Sequence, residues 1–118
     1  NFPALDLLAE TGNFEKAVEA VQYVDTCLGG VLEKVREIHG VALITSSHGN
    51  VEELAGPATQ GSRSGKTPNP VPLHLVDYDV TGTRLADGGS LAAIAPTILG
   101  ILGIDKPSQM TGNDLRIF

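Results

Sequence analysis

The segment ITSSHGN, residues 44 to 50, places a histidine directly after an apolar run. The run from Val41 to Thr45 is short, continuous and apolar, which predicts a strand that is buried on both faces. Polar side chains that follow such a strand lie at its carboxyl end, where α/β proteins bind their ligands. His48 is therefore the first residue to consider as a catalytic base or a metal ligand.

A metal site requires partners for His48, and the sequence offers four carboxylates: Asp6, Glu10, Asp77 and Asp87. Asp6 and Glu10 are four residues apart, so a helical turn would bring them to one face. Spacing alone does not choose among the four carboxylates. A purely structural role for His48 stays open at this point.

Two other motifs suggest chemistry but lack the spacing that it needs. Ser46 and Ser47 precede His48, but the Gly-x-Ser-x-Gly motif of serine hydrolases is absent, and adjacent side chains rarely face each other. The run GSRSGKT, residues 61 to 67, has three residues between its two glycines, whereas a phosphate-binding P-loop has four. We therefore interpret GSRSGKT as a solvated loop.

One long amphipathic helix is predicted before the first strand. Asn13 is a good N-cap, and apolar residues then recur at steps of three and four up to Ile38. Gly40 is a natural stop for this helix, and a Gly-Gly pair in its middle is a site where it can kink or divide. Residues 1–12 are predicted to form a loop.

Beyond this helix, loops alternate with short apolar segments. Residues 55–70 are rich in Gly, Ser, Thr and Pro, which predicts a long loop. Two strands are predicted besides the one at 41–45, at residues 71–76 and 110–118, and a helix is predicted at residues 90–102. This order of elements predicts an α/β fold with a largely parallel sheet flanked by helices.

Bulk composition limits the class of protein. The 118 residues suffice for one domain of modest size, and 42% of them are hydrophobic but only 4% aromatic, so the core is aliphatic. The net charge of -6 argues against nucleic acid and against anionic membrane surfaces as partners. No segment approaches the ~20 apolar residues of a membrane span. The single cysteine, Cys27, cannot form an internal disulfide, which favours a reducing, cytoplasmic location.

Four segments, taken in order, resemble one enzyme family. Asn1 to Asn13 is similar to Asn-Phe-Ala-Asn-x-Asp-Met-Val-Gly-His-Thr-Gly-Asn, and Leu43 to Glu52 is similar to Leu-Ile-Thr-Ala-Asp-His-Gly-Asn-Ala-Glu. Thr67 to Pro72 resembles His-Thr-Thr-Asn-Pro-Val-Pro, and residues 85–112 resemble the last helix and tail of the same family. The family is the cofactor-independent (2,3-bisphosphoglycerate-independent) phosphoglycerate mutases, and the resemblance covers essentially the whole chain.

The resemblance implies an alkaline-phosphatase-like metalloenzyme domain that carries two manganese ions and a serine nucleophile. In this family the phosphate of a phosphoglycerate moves to the serine and returns to the other hydroxyl, so that 2- and 3-phosphoglycerate interconvert in glycolysis. Two divalent cations neutralise phosphoryl oxygens and lower the pKa of the nucleophile. The partner that the resemblance implies is a small phosphorylated substrate.

The metal positions of the family fall, residue by residue, on Asp6, Glu10, Ser47, His48 and Lys66. Asp6 and His48 keep the ligand type, and Glu10 still offers a carboxylate to a hard cation. Ser47 is a weak ligand in place of an aspartate. Lys66 cannot ligate while it is protonated, but its ammonium would offset the charge of a vacated cation site. The resemblance thus implies a remodelled metal site with Asp6, Glu10 and His48 as ligands.

The resemblance also implies that residues 1–118 are the carboxy-terminal portion of such a domain. The serine nucleophile, another ligand aspartate and the inserted substrate-binding domain of the family match nothing here, so we expect the chain alone to be inactive. The alternative is a degenerate, non-catalytic homologue that serves as a structural or interaction module. A sheet with an exposed edge would also favour a homo-oligomer.

Overall fold

The computed structural model describes residues 1–55 and 65–118, which divide into two compact units, Asn1–Tyr78 and Asp79–Phe118. The predicted loop at 55–70 and the GSRSGKT run lie largely outside the described residues. Among the described residues, no helix is both long and apolar enough to cross a membrane.

Two helices open the first unit, α1 (Ala4–Ala9) and α2 (Phe14–Glu37). The side chain of Asn13 caps α2 by accepting the backbone N–H of Lys16 at 3.0 Å, which confirms the predicted start of this helix. The glycine pair in its middle does not divide α2. Helix α1 lies in the segment predicted as a loop, so that prediction is wrong. Pro3 directly precedes α1, a place where proline is tolerated.

The end of α2 differs by one residue from the prediction. His39, and not Gly40, adopts the left-handed conformation that closes the helix, with a φ of 54°. The backbone N–H of Gly40 donates to the carbonyl of Val35 at 2.8 Å. This tight ending lets the first strand begin at once, at Val41.

Strands β1 (Val41–Thr45) and β2 (Leu73–Asp77) form an antiparallel pair in the first unit. In this register Leu43 lies opposite Leu75, and Thr45 lies opposite Leu73. The hydroxyl of Thr45 donates to the carbonyl of Pro72 at 2.9 Å and fastens the end of the pair from which the His48 turn departs.

The second unit holds a further antiparallel pair, β3 (Arg84–Leu85) with β4 (Arg116–Ile117). The mixed α/β content is confirmed, but both sheets among the described residues are antiparallel and not parallel. A parallel pair requires a crossover of a dozen or more residues, usually a helix. Between β1 and β2 the described residues contain only the 3-10 helix Val51–Ala55.

The core of the first unit lies where α1, α2 and the 3-10 helix meet. Ala9, Ala17 and Leu54 are buried there, and Val51 packs against them. The small alanine side chains allow the two helices to approach closely. This contact fixes α1, which carries Asp6, against the segment that follows His48.

In the second unit a 3-10 turn, Leu91–Ala93, leads into α3 (Ile94–Ile101). Thr97 is fully buried, and its hydroxyl donates to the carbonyl of Ala93 at 2.7 Å. The same hydroxyl accepts the backbone N–H of Leu115 at 3.1 Å. A single buried hydroxyl thus attaches the carboxy-terminal segment to α3.

Candidate metal centre

Asp6 and His48 face each other in the first unit. Oδ2 of Asp6 lies 3.3 Å from Nε2 of His48. Asp6 belongs to the first turn of α1, and His48 belongs to the turn that follows β1. The exposed fraction of the side chain is 47% for Asp6 and 16% for His48, so the pair is partly open to solvent. A small ligand or ion can therefore reach it.

The imidazole of His48 is oriented by the backbone. Its Nδ1 lies 3.1 Å from the carbonyl oxygen of Gly49. Because a carbonyl oxygen only accepts hydrogen bonds, Nδ1 is the donor in this contact, and the ring is turned so that Nε2 faces Asp6. Nε2 of His48 and Oδ2 of Asp6 thus face each other, and a proton or a metal cation between these two atoms would hold them together.

Asn50 holds the other oxygen of the Asp6 carboxylate. Its Nδ2 donates to Oδ1 of Asp6 at 2.7 Å, while Oδ2 faces His48. The amide oxygen of Asn50 is buried and has no hydrogen-bond partner among the described residues. The sequence analysis did not single out Asn50, although it is part of the His-Gly-Asn turn.

Glu52 fastens the backbone beside the pair. One of its oxygens accepts the backbone N–H of Asn50 at 2.5 Å, and the other accepts the hydroxyl of Thr67 and the amide of Asn69, the latter at 3.0 Å. Burial by itself would raise the pKa of Glu52, but the hydrogen bonds from Thr67, Asn69 and the backbone outweigh it and lower the pKa to about 2. Glu52 is therefore a carboxylate that stays charged and joins residues 50–52 to residues 67–69.

Gly49 joins the His48 turn to Thr67 through the backbone. The backbone N–H of Thr67 donates to the carbonyl of Gly49 at 2.8 Å, in an isolated antiparallel bridge. A Cβ atom at position 49 would collide with the Thr67 hydroxyl and the Glu52 carboxylate. A larger residue between His48 and Asn50 would therefore displace the Thr67 and Glu52 side chains.

The other positions to which the resemblance pointed, Glu10, Ser47 and Lys66, are exposed to solvent. Glu10 is an exposed C-cap of α1 whose backbone N–H donates to the carbonyl of Asp6, and Ser47 and Lys66 are exposed. Within residues 1–55 and 65–118, no group of three or more His, Cys, Asp or Glu side chains could hold a metal ion. The structure thus unites Asp6 with His48, while a ligand role for Glu10 stays a prediction.

Comparison with known proteins identifies relatives of the whole chain. A 2,3-bisphosphoglycerate-independent phosphoglycerate mutase of Clostridioides difficile (strain 630) is 42% identical over 115 residues, which are 98% of this chain and 22% of that protein. The protein of the same name from Clostridium botulinum (strain Langeland) is 44% identical over the same shares of both chains. The one from Pseudomonas fluorescens (strain Pf0-1) is 39% identical over 117 residues, 99% of this chain and 23% of that protein.

The chain therefore spans about a fifth of the length of the curated relatives it matches. A family model described as the Metalloenzyme superfamily matches residues 1–106, which include Asp6, His48 and Asn50. The paired imidazole and carboxylate agree with a family that binds metals. The chain belongs to the Metalloenzyme superfamily.

Proposed function

We propose that this chain supplies part of the metal centre of a phosphoglycerate mutase-type isomerase, with Asp6 and His48 as ligands and manganese as the metal. The observation that carries the proposal is the 3.3 Å approach of Nε2 of His48 to Oδ2 of Asp6, an imidazole nitrogen and a carboxylate oxygen that face each other. The identity to phosphoglycerate mutases over 98% of the chain supports the class of reaction.

The residues present fit one part of a divalent-cation site. Imidazole nitrogen and carboxylate oxygen form a mixed donor set that suits manganese. The bound metal would neutralise phosphoryl oxygens and lower the pKa of a hydroxyl nucleophile. The chain itself orients the imidazole through the Gly49 carbonyl and the carboxylate through the Asn50 amide. Glu10 is the proposed third ligand.

The substrate that we propose is a small phosphorylated three-carbon acid, converted in glycolysis in the cytoplasm. Residues 1–118 would be the carboxy-terminal portion of the enzyme's alkaline-phosphatase-like domain. Among the described residues β1 pairs on one edge only, with β2. A parallel neighbour on the other edge would produce the parallel sheet that the resemblance implies, and a second copy there would produce a homo-oligomer.

A non-catalytic structural or interaction module is the second candidate. It is favoured by Ser47 and Lys66, which replace two ligands, and by the lack of a three-residue metal group in the described parts of the chain. This candidate predicts that the chain does not bind manganese.

Calorimetry of the purified chain with Mn²⁺ near neutral pH, with Zn²⁺ and Mg²⁺ for comparison, separates the two candidates. We expect micromolar or tighter Mn²⁺ binding that Asp6→Ala or His48→Ala largely removes, because each variant deletes one of the three proposed ligands. The matched control is His74→Ala, since His74 is exposed on β2. Unchanged affinity in His48→Ala would refute the site.

The substrate class is tested by ³¹P NMR of 3-phosphoglycerate with the Mn²⁺-loaded chain. Paramagnetic Mn²⁺ broadens the resonance of a phosphate that binds beside it. We expect broadening beyond that of a His48→Ala sample at the same free Mn²⁺ concentration, because that variant is expected to hold no metal beside the phosphate. Equal broadening in the two samples would count against a phosphoglycerate site at this pair.

A further inference from the structure

We propose that Asn50 is a positioning residue of this site, whose side-chain amide holds the Asp6 carboxylate in the orientation that faces His48. The consequence for the metal rests on the proposed function. The orientation itself rests on contacts within the described structure.

The Asp6 carboxylate needs such a restraint because its side chain is 47% exposed and lies on a helix of six residues. A carboxylate has two equivalent oxygens, and a solvent-exposed aspartate side chain samples several rotamers. The 2.7 Å hydrogen bond from Nδ2 of Asn50 occupies Oδ1, and this leaves Oδ2 at 3.3 Å from Nε2 of His48. The amide thereby assigns each carboxylate oxygen its own neighbour.

The buried amide oxygen of Asn50 supports this positioning role. Only the NH₂ group of Asn50 can donate to Asp6, so its oxygen must point the opposite way. That oxygen is buried without a hydrogen-bond partner in the described structure, which is unfavourable. An apolar side chain would fill the same space without this cost. Stability alone therefore does not account for asparagine here, whereas orientation of Asp6 does.

The backbone of Asn50 is itself fixed, so its side chain reaches Asp6 from a defined point. Its N–H donates to Glu52 at 2.5 Å, and Glu52 is held in turn by Thr67 and Asn69. On the preceding side, Gly49 is bridged to Thr67. Supporting contacts of this kind are what keep a ligand within the narrow range of useful geometries.

The experiment compares Asn50→Ala with Asn13→Ala in the 118-residue chain. Asn13 caps α2, so its removal lowers stability without removing a contact to Asp6. The first measurement is the ¹⁵N chemical shift of Nε2 of His48, with His74 as an internal reference. We expect this resonance to shift in Asn50→Ala and to stay in place in Asn13→Ala. An unmoved His48 resonance in Asn50→Ala would overturn the proposal.

The second measurement is the Mn²⁺ dissociation constant, which we expect to rise about 10- to 100-fold in Asn50→Ala and to stay the same in Asn13→Ala. Equal effects of the two variants would show a general loss of stability and refute the positioning role. Asn50→Leu keeps the bulk of the side chain and serves if the alanine variant does not fold. If the wild-type chain binds no Mn²⁺, the proposed metal centre fails, and the His48 resonance alone decides the role of Asn50.

Discussion

Asp6 and Asp114, one in each unit, are carboxylates with opposite surroundings. Asp114 accepts three hydrogen bonds from the guanidinium of Arg116, at 2.7 to 3.2 Å, and these lower the pKa of Asp114. The contacts of Asp6 come instead from the neutral amide of Asn50 and from the imidazole of His48. The charge of Asp114 is balanced by a guanidinium, whereas the carboxylate of Asp6 is oriented by an amide and an imidazole.

The contacts of a carboxylate thus distinguish a structural ion pair from a candidate metal ligand. An Arg–carboxylate fork satisfies the carboxylate with a cation of the protein itself. A carboxylate that is contacted by an amide and an imidazole, as Asp6 is, remains a candidate ligand for an external cation. The two also differ in sequence separation, because Arg116 is two residues from Asp114, whereas Asn50 is 44 residues from Asp6.

The greatest change in Mn²⁺ affinity is expected from adding ligands beside Asp6. Ser47→Asp together with Lys66→His adds a carboxylate and an imidazole and removes an ammonium. We expect Mn²⁺ affinity to rise at least roughly tenfold, because ligand charge sets the affinity for a hard cation. The matched control is Ser108→Asp with Lys16→His, which changes the charge equally at exposed positions. No gain over this control would contradict a remodelled metal site.

Gly49→Ala tests the close approach beside the pair. The new methyl group would meet the Thr67 hydroxyl and the Glu52 carboxylate, so these side chains must move and the hydrogen bond between them is disturbed. We expect the free energy of unfolding, measured with urea, to fall by about 1–3 kcal/mol. Gly65→Ala is the control, since a Cβ there has no neighbour within 4 Å. Equal stability of the two variants would refute the steric argument.

Glu52→Gln tests how much the negative charge of Glu52 contributes to the stability of the fold. Because the pKa of Glu52 is lowered from 4.5 to about 2, its charge stabilises the fold fully above pH 4.5, and this contribution is lost as the pH falls towards 2. After allowance for solvent screening at an exposed side chain, we expect a loss of about 1 kcal/mol at pH 7. Urea unfolding at pH 7, 4 and 3 should show wild type and variant converging. Glu33→Gln, on the exposed face of α2, serves as the control.

The smallest effect on the metal is expected from Arg116→Ala. Because Arg116 lowers the pKa of Asp114, the stability that the pair contributes is present above the unfolded pKa of 3.8 and is lost at lower pH. We therefore expect a decrease in stability at pH 7 that shrinks in acid, with Mn²⁺ affinity unchanged. Weaker Mn²⁺ binding in this variant would remove the distinction between the two carboxylates.

Local signals allowed part of the fold to be predicted from the sequence. The start of α2 was predictable because Asn13 caps the helix within three residues. Helix α1 was missed because six residues carry little helical signal, and its support comes from Ala9 packing against Ala17 and Leu54. The antiparallel direction of β1 and β2 was missed because apolar runs indicate burial but not direction.

The candidate site was likewise only partly predictable from the sequence. His48 stood out because it follows an apolar strand, and Asp6 was one of four carboxylates until the family resemblance pointed to it. The roles of Asn50 and Glu52 depend on partners 44 and 15 residues away. No pattern within the His-Gly-Asn turn could indicate those partners.

The left-handed turn at the end of α2 bears on how far this site can be redesigned. His39 holds a φ of 54°, a conformation that costs a residue with a Cβ atom about 1 kcal/mol. His39→Gly would relieve that strain and leave Asp6, His48 and Asn50 in place. Because folded proteins are only marginally stable, a gain of this size decides whether a destabilised variant can be studied at all. A helix ending outside the Asp6–His48 pair thus affects how far the fold tolerates substitutions at the pair.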